Sequence, residues 1–176
     1  MKIIEAMKEL KRLAEKAADL RKKVALYCVD LDYETPVYGA DQKKQIDEWM
    51  QSHADTVQRI ADIRVAIQAT NLATFVSIEI GGKTVKKSIA EWIHRRGDKQ
   101  KPGLARTDLE MWTSLGDRGL REGVAAQSTG STIQVKIRRY FDPAKRDQMV
   151  AMYREESSII DGQLEVVNAV TDVIGL

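Results

Sequence analysis

The side chains able to act as nucleophile, base or metal ligand are few and scattered. The chain holds one cysteine, Cys28, and two histidines, His53 and His94. Thiol catalysis needs a thiolate within reach of an imidazole. Here the thiol and the two imidazoles fall on separate predicted elements, and no local pattern joins them. A single cysteine also excludes an internal disulfide and a cysteine-based zinc site. No phosphate-cradling loop, dinucleotide fingerprint, His-Glu-x-x-His or calcium-loop pattern occurs in the sequence. Asp30 with Asp32, and Glu155 with Glu156, pair carboxylates. On an exposed loop or helix such pairs are solvated surface rather than general acid–base machinery. The expectation is a chain that is not an enzyme, with no catalytic residue, no cofactor and no metal.

Basic residues cluster more tightly. Lys83, Lys86, Lys87, His94, Arg95, Arg96, Lys99 and Lys101 crowd one stretch, and Lys136, Arg138 and Arg139, followed by Lys145 and Arg146, crowd another. Such clustering is what phosphate contacts require. Yet 28 basic and 26 acidic residues leave a net charge of only +2, and no aromatic platform or recognition helix accompanies the strip. Nucleic-acid binding by a bacterial cytoplasmic protein is therefore the alternative function. Its affinity would fall steeply with salt, whereas apolar assembly would not.

The elements that must position these residues are mostly helical. The length of 176 residues, 43% hydrophobic and 31% charged, suits one domain with a core of its own. Residues 2–27 carry Ile3, Met7, Leu10, Ala14, Ala17 and Val24 on a 3-4 repeat, with Leu13 and Leu20 alongside. No Gly or Pro breaks that run. Residues 28–40 form a connection punctuated by Pro36 and Gly39, in which Tyr33 and Tyr38 offer amphipathic contact surface or anchor the loop. Asp41 is placed to cap a second helix over 42–71, with Ile46, Met50, Val57, Ile60 and Ile67 on its seam. His53 and Arg64 lie on or near that seam, and Asn71 is placed as its left-handed cap.

Residues 75–80 alternate with the period of a strand, Gly81-Gly82 offers a tight turn, and Thr84 is placed to cap a short helix over 85–96. Residues 97–105 form a flexible excursion. The Thr107–Glu110 capping pattern starts another short helix, to about 115, and irregular chain follows to 131. Residues 132–140 alternate again and are read as the strand that partners 75–80. Asp142-Pro143 marks the start of the last long helix, to about 173, where Gly162 suggests close approach of another backbone. The fold class predicted is mainly α: a bundle of three long helices and one or two short ones, with a small two-stranded β-ribbon. Residues 1–176 form one domain, and 97–131 a flexible insertion within it. The charged start of the chain and the absence of an ~18-residue apolar run lead to an expectation of cytoplasmic synthesis without signal peptide or membrane span.

The segment 69–96 resembles the middle of the septicolysin-like family of small bacterial and phage proteins, through Thr70, Asn71, Gly82, Thr84, Ile89 and Arg95-Arg96. The run 161–173 resembles the family's closing segment, through Asp161, Leu164, Asn168, Thr171 and Asp172. With the first two helices the resemblance covers about two thirds of the chain. Residues 97–131 depart from it, since in the family the middle helix continues there. The family has no settled biochemical role and occurs in tailed phages. The resemblance therefore implies a structural or assembly protein of a phage virion, associated with the capsid or the head–tail region. Its partners would be other virion proteins or further copies of itself. Residues 31–40 and 97–131 are the expected contact segments, ordering on binding. The candidate contact residues are Tyr33, Tyr38, Lys99, Lys101, Lys136, Arg138 and Arg139.

Overall fold

The computed structural model describes residues 1–98, 100–116 and 139–176. These form five helices and one two-stranded antiparallel ribbon, so the protein is mainly α with a β-ribbon. Contacts gather the chain into two compact units. The first comprises Met1–Thr74 with Glu165–Leu176, the second Phe75–Leu164.

The first unit is built on a helical hairpin. Helix α1 spans Ile3–Tyr27 and helix α2 spans Gln42–Ala73. The Glu5 carboxylate accepts the Lys2 backbone N–H (2.8 Å) and places a negative charge at the positive end of α1. Buried Ile3, Ala6, Leu13, Ala17 and Leu20, with half-buried Leu10, Val24 and Tyr27, give α1 an unbroken 3-4 seam. In α2, Thr56, Ile63 and Thr70 are buried at seven-residue intervals, flanked by half-buried Ile46, Trp49, His53, Ile60 and Ile67. The two seams run antiparallel, because the end of α1 meets the start of α2. The Thr56 and Thr70 hydroxyls donate to the carbonyls of Ser52 (2.6 Å) and Ala66 (2.8 Å), so neither is buried unbonded.

The seams differ from the sequence expectation. Met7, Ala14, Met50 and Val57 were assigned to them and are exposed. Asn71 does not end α2 in a left-handed turn; the helix continues to Ala73, and among the described residues every positive φ belongs to glycine. Asp41 makes no side-chain cap; a 3-10 turn, Gly39–Asp41, leads into the helix instead.

A strap closes the open end of the hairpin. Ile3 N–H donates to Thr171 O (3.0 Å) and Val173 N–H to Met1 O (2.8 Å). Lys2 Nζ donates to Asp172 Oδ2 (2.6 Å) and to Val170 O (2.8 Å). Ile174 N–H donates to the Thr70 hydroxyl (2.9 Å), so the strap ties the start of α1 to the end of α2.

The second unit begins with strands β1, Phe75–Ile80, and β2, Lys83–Ser88, with Ile78 opposite Val85. Gly81 (φ 57°) and Gly82 (φ 74°) form the two-residue turn between them, which needs positive φ at both positions. This corrects two expectations. Residues 83–88, read as a turn and the start of a helix, are the second strand of the ribbon. The helix α3 spans Ile89–Arg96 and is capped by Ser88, not Thr84. Ser88 Oγ accepts the Glu91 N–H (3.2 Å), and the Glu91 carboxylate accepts the Ser88 N–H (2.8 Å). The strand expected over 132–140 lies, apart from Arg139 and Tyr140, outside the described residues.

Of the segment expected to be a flexible insertion, Leu104–Ser114 is helix α4, with Gly103 rather than Thr107 at its N-cap position. Gly97 and Pro102 form a bridge. A side chain on Gly103 would overlap the backbone of Arg95, Arg96 and Gly97. The rest of that segment, 117–131, lies outside the described residues. Helix α5, Pro143–Val170, starts where Asp142-Pro143 placed it, with Ala144 N–H donating to Asp142 Oδ1 (2.9 Å). It ends three residues earlier than expected. Nothing described comes within 4 Å of a side chain built on Gly162, so that glycine marks no close backbone approach. Among the described residues, no helix is long and apolar enough to cross a membrane.

Candidate functional site

Three surfaces gather the side chains with chemistry to offer: the tip of the α1–α2 hairpin, one broad face of that hairpin, and a cleft in the second unit.

At the tip, residues 28–41 are held by one glutamine. Gln42 Nε2 donates to Tyr27 O (2.7 Å), and Gln42 Oε1 accepts the Tyr38 N–H (3.0 Å), so a single side chain clamps both ends of the loop. Under it, Tyr27, Tyr38 and Trp49 pack as an aromatic trio with ring centroids 5.5–5.8 Å apart. Edge-to-face packing of this kind orients the rings without a polar partner. Lys23 Nζ lies 5.9 Å from the Trp49 ring centre. Tyr38 therefore anchors the loop. Tyr33 points away, 78% exposed, in company with Val29 (79%), Leu31 (54%) and Val37 (67%). Backbone bonds from Glu34 N–H to Leu31 O (2.9 Å) and from Gly39 N–H to Pro36 O (3.0 Å) fix the turns that display them. The tip is thus a loop in which exposed Val29, Leu31 and Tyr33 alternate with the carboxylates Asp30, Asp32 and Glu34, set on an aromatic base.

The hairpin's long faces are unlike one another. One is charged, and its groups are engaged locally: Arg12 with Glu9 (2.6 Å), Gln51 with Asp55 (2.8 Å) and Gln58 with Asp62 (2.8 Å). The other carries Met50, Ala54, Val57, Ala61, Val65 and Leu72 of α2, all exposed, beside Met7, Ala14 and Ala25 of α1. Arg21, Val24, Ala25, Met50 and His53 line a shallow groove on this side.

In the second unit, a cleft of about 680 Å³ lies among β2, α3 and α5, lined by Trp92, Met149, Met152, Tyr153 and the lysines Lys83, Lys87 and Lys145. Its floor is held by Arg95. The guanidinium donates from Nε and Nη2 to the two Glu156 oxygens (2.7 and 2.9 Å) and from Nη1 to Asp108 (2.5 Å), and it stacks 5.6 Å from the Tyr153 ring centre. Glu156 is buried. The hydrogen bonds that Arg95 donates to Glu156 push its pKa up, outweighing burial, so the cation is permanent. Trp92 Nε1 donates to Val76 O (3.0 Å), locking the indole beneath the ribbon. Arg96 pairs with Asp161. With their carboxylates occupied in this way, Arg95 and Arg96 hold elements together; neither is presented to a phosphate.

Among the remaining sequence-predicted contact residues, Lys101 is exposed. Its backbone N–H and that of Gln100 donate to Asp98 Oδ1 (2.7 Å each), which holds the Asp98 carboxyl below the usual carboxylate value. Arg139 is exposed. Lys99, Lys136 and Arg138 lie outside the described residues. Cys28 is exposed, His94 is exposed and His53 is half-buried on the hairpin seam. Among the described residues no cluster of three or more His, Cys, Asp or Glu is arranged to hold a metal. Sequence reasoning missed the Gln42 clamp and the Arg95–Glu156 pair, and it placed Met50 and Val57 on the buried seam although both are exposed.

No protein-family model matches the chain, and no curated protein matches it. Among solved structures, the crystal structure of a functionally unknown conserved protein from Corynebacterium diphtheriae is similar in fold. It matches over 98% of each chain with a TM-score of 0.54, at 15% sequence identity. At that identity the likeness concerns the fold alone.

Proposed function

We propose that the protein is a non-enzymatic assembly component that docks through the tip of its helical hairpin, and that it serves in a tailed-phage virion, at the capsid or the head–tail region. The observation that carries the docking role is the tip itself. Val29, Leu31, Tyr33 and Val37 are displayed to solvent by a loop whose ends are clamped by Gln42 and whose base is a packed aromatic trio. Preorganised apolar side chains on a rigid base bind with little ordering cost, and exposed apolar patches of this kind mark interaction sites. The virion placement is supported by the resemblance of 69–96 and 161–173 to a family found in tailed phages.

The test is co-sedimentation of the chain with particles from an induced lysate of the strain that carries the gene. The wild-type chain should travel with the particles. A Tyr33→Ser/Val37→Ser variant should keep its helical circular dichroism and stay in the supernatant. A wild-type chain that remains in the supernatant of a particle-rich lysate overturns the virion reading. Excess absorbance at 260 nm on the purified protein, lost at high salt, would replace it with nucleic-acid binding.

A further inference from the structure

The broad apolar face of the α1–α2 hairpin is built for an occupant, and we propose that this occupant is an acidic amphipathic helix of a partner protein. The inference deepens the assembly reading by naming a second surface and its partner chemistry. It rests on residues the tip does not use.

The stripe follows from the helical repeat. In α2, Met50, Ala54, Val57, Ala61 and Val65 return every three or four residues and Leu72 follows two turns on, one step around the helix from the buried seam. They are solvent-exposed, Met50 at 56%, Val65 at 64% and Leu72 at 65%. In an antiparallel pair the matching positions of α1 fall on the same side, and the groove shared by Arg21, Ala25, Met50 and His53 shows that they do. From Met50 to Leu72 the stripe runs about 33 Å at 1.5 Å per residue, room for roughly six turns of a bound helix. Alanines at 14, 25, 54 and 61 keep the surface low, so a partner's larger side chains can seat between the two helices.

Charge decides which partner fits. Lys11, Arg21 and Arg64 stand in this apolar face, and among the described residues no carboxylate lies within salt-bridge distance of any of them. No Asp or Glu occupies the stripe between Met50 and Leu72. On the opposite face the carboxylates Glu9, Asp55 and Asp62 already have partners. A second copy of this chain would bring cation against cation, a cost that like-charge juxtaposition imposes on a wrong partner. An amphipathic helix with acidic residues flanking its apolar stripe covers the alanine-lined surface and meets all three cations.

The test uses the full-length protein and two synthetic helical peptides of about 28 residues. Both carry leucine on one 3-4 stripe; one is flanked by glutamate, the other by lysine. Fluorescence anisotropy at physiological salt should show the glutamate peptide binding at least about ten-fold more tightly than the lysine peptide, the effect expected of three rim ion pairs. Val57→Asp, at an exposed position, should abolish binding with helicity unchanged, while Asp55→Ala on the opposite face should leave it intact. The triple variant Lys11→Glu/Arg21→Glu/Arg64→Glu should invert the preference toward the lysine peptide, which general stickiness cannot do. Equal binding of both peptides, or no inversion, overturns the proposal. So does a concentration-dependent dimer in sedimentation that Val57→Asp breaks, which would assign the face to a second copy. Binding to phosphatidylcholine–phosphatidylserine vesicles that Val57→Asp removes would also overturn it. The Tyr33→Ser/Val37→Ser variant should bind the glutamate peptide normally, so failure of the tip and failure of this face are read separately.

Discussion

Glu156→Gln is the substitution whose cost the geometry of the second unit sets most sharply. The change keeps the shape of the side chain and removes its charge. The Glu156 side chain is 4% exposed and that of Arg95 19%, so the guanidinium is left largely desolvated. Two of the three contacts that hold it, Nε to Oε1 at 2.7 Å and Nη2 to Oε2 at 2.9 Å, lose their charged acceptor. Removing one member of a buried pair costs about 3–5 kcal/mol when the survivor has no other counter-ion. Here Asp108 remains at 2.5 Å, though it is 40% exposed, so the expected loss is smaller, about 2–3 kcal/mol. At roughly 2–4 °C per kcal/mol for a chain of this size, the melting temperature should drop by about 4–12 °C. The opposite sign is expected for replacing both partners. Arg95→Met/Glu156→Leu removes both desolvation penalties and should recover most of the loss. Urea unfolding in a Trp49→Phe background reads this unit through Trp92 and Trp112. A Glu156→Gln variant within about 0.5 kcal/mol of the parent, or a double variant no more stable than the singles predict additively, would refute a desolvated pair.

Two further outcomes follow from particular atoms. Gly103→Ala should destabilise by about 1–3 kcal/mol, because its methyl meets the backbone of Arg95 and Gly97. Gly162→Ala, mid-helix with open space around it, should instead stabilise by about 0.5–1 kcal/mol; thermal melts of the two variants in opposite directions check both. Acid should weaken the protein. Asp172, bonded to Lys2, and Glu91, bonded to Ser88, are held below their ordinary values of 3.8 and 4.5. A depressed folded-state pKa gives stability that is present above the unfolded value and lost as pH falls through the folded one. Melting temperature should therefore decline below the ordinary carboxylate range, and less steeply for Asp172→Asn and Glu91→Gln; slopes equal to wild type would remove both bonds from the account.

What the chain discloses before folding is local chemistry. Asp142-Pro143 places a helix start because a cap and a fixed φ act within three residues. Gly81-Gly82 places a turn for the same kind of reason. Ser88-x-x-Glu91 is equally local, but Thr84 offers a competing cap that puts the expected helix start four residues early. With 85–88 read as helix, β1 lacks its neighbouring strand β2, and the expected partner falls on 132–140, most of which lies outside the described residues. The Arg95–Glu156 pair joins residues 61 positions apart, and no pattern in one sequence connects them. Gly97 and Gly103 read as loosening residues, yet they permit a close backbone approach beside the Gly97–Pro102 bridge.

The hairpin shows why periodicity located its helices and misplaced their faces. Counting apolar residues at 3-4 spacing finds a stripe, but α2 has two adjacent ones. One runs through Thr56, Ile63 and Thr70, the other through Met50, Val57 and Leu72. The seam read from the sequence mixes them: Ile46, Ile60 and Ile67 border the first, while Met50 and Val57 belong to the second. The structure buries the one with threonines, because a hydroxyl that bonds back to the preceding turn, as Thr56 does to Ser52 O and Thr70 to Ala66 O, satisfies itself and still packs. Thr70 does more, since its oxygen also receives the Ile174 N–H and so fixes the strap. Burying Met50 and Val57 would gain apolar area, but it would rotate Thr70 out of reach of the strap and Trp49 off the aromatic trio at the tip. The hairpin's seam is thus set by what its two ends must hold, and the stripe through Met50, Val57 and Leu72 is left outside.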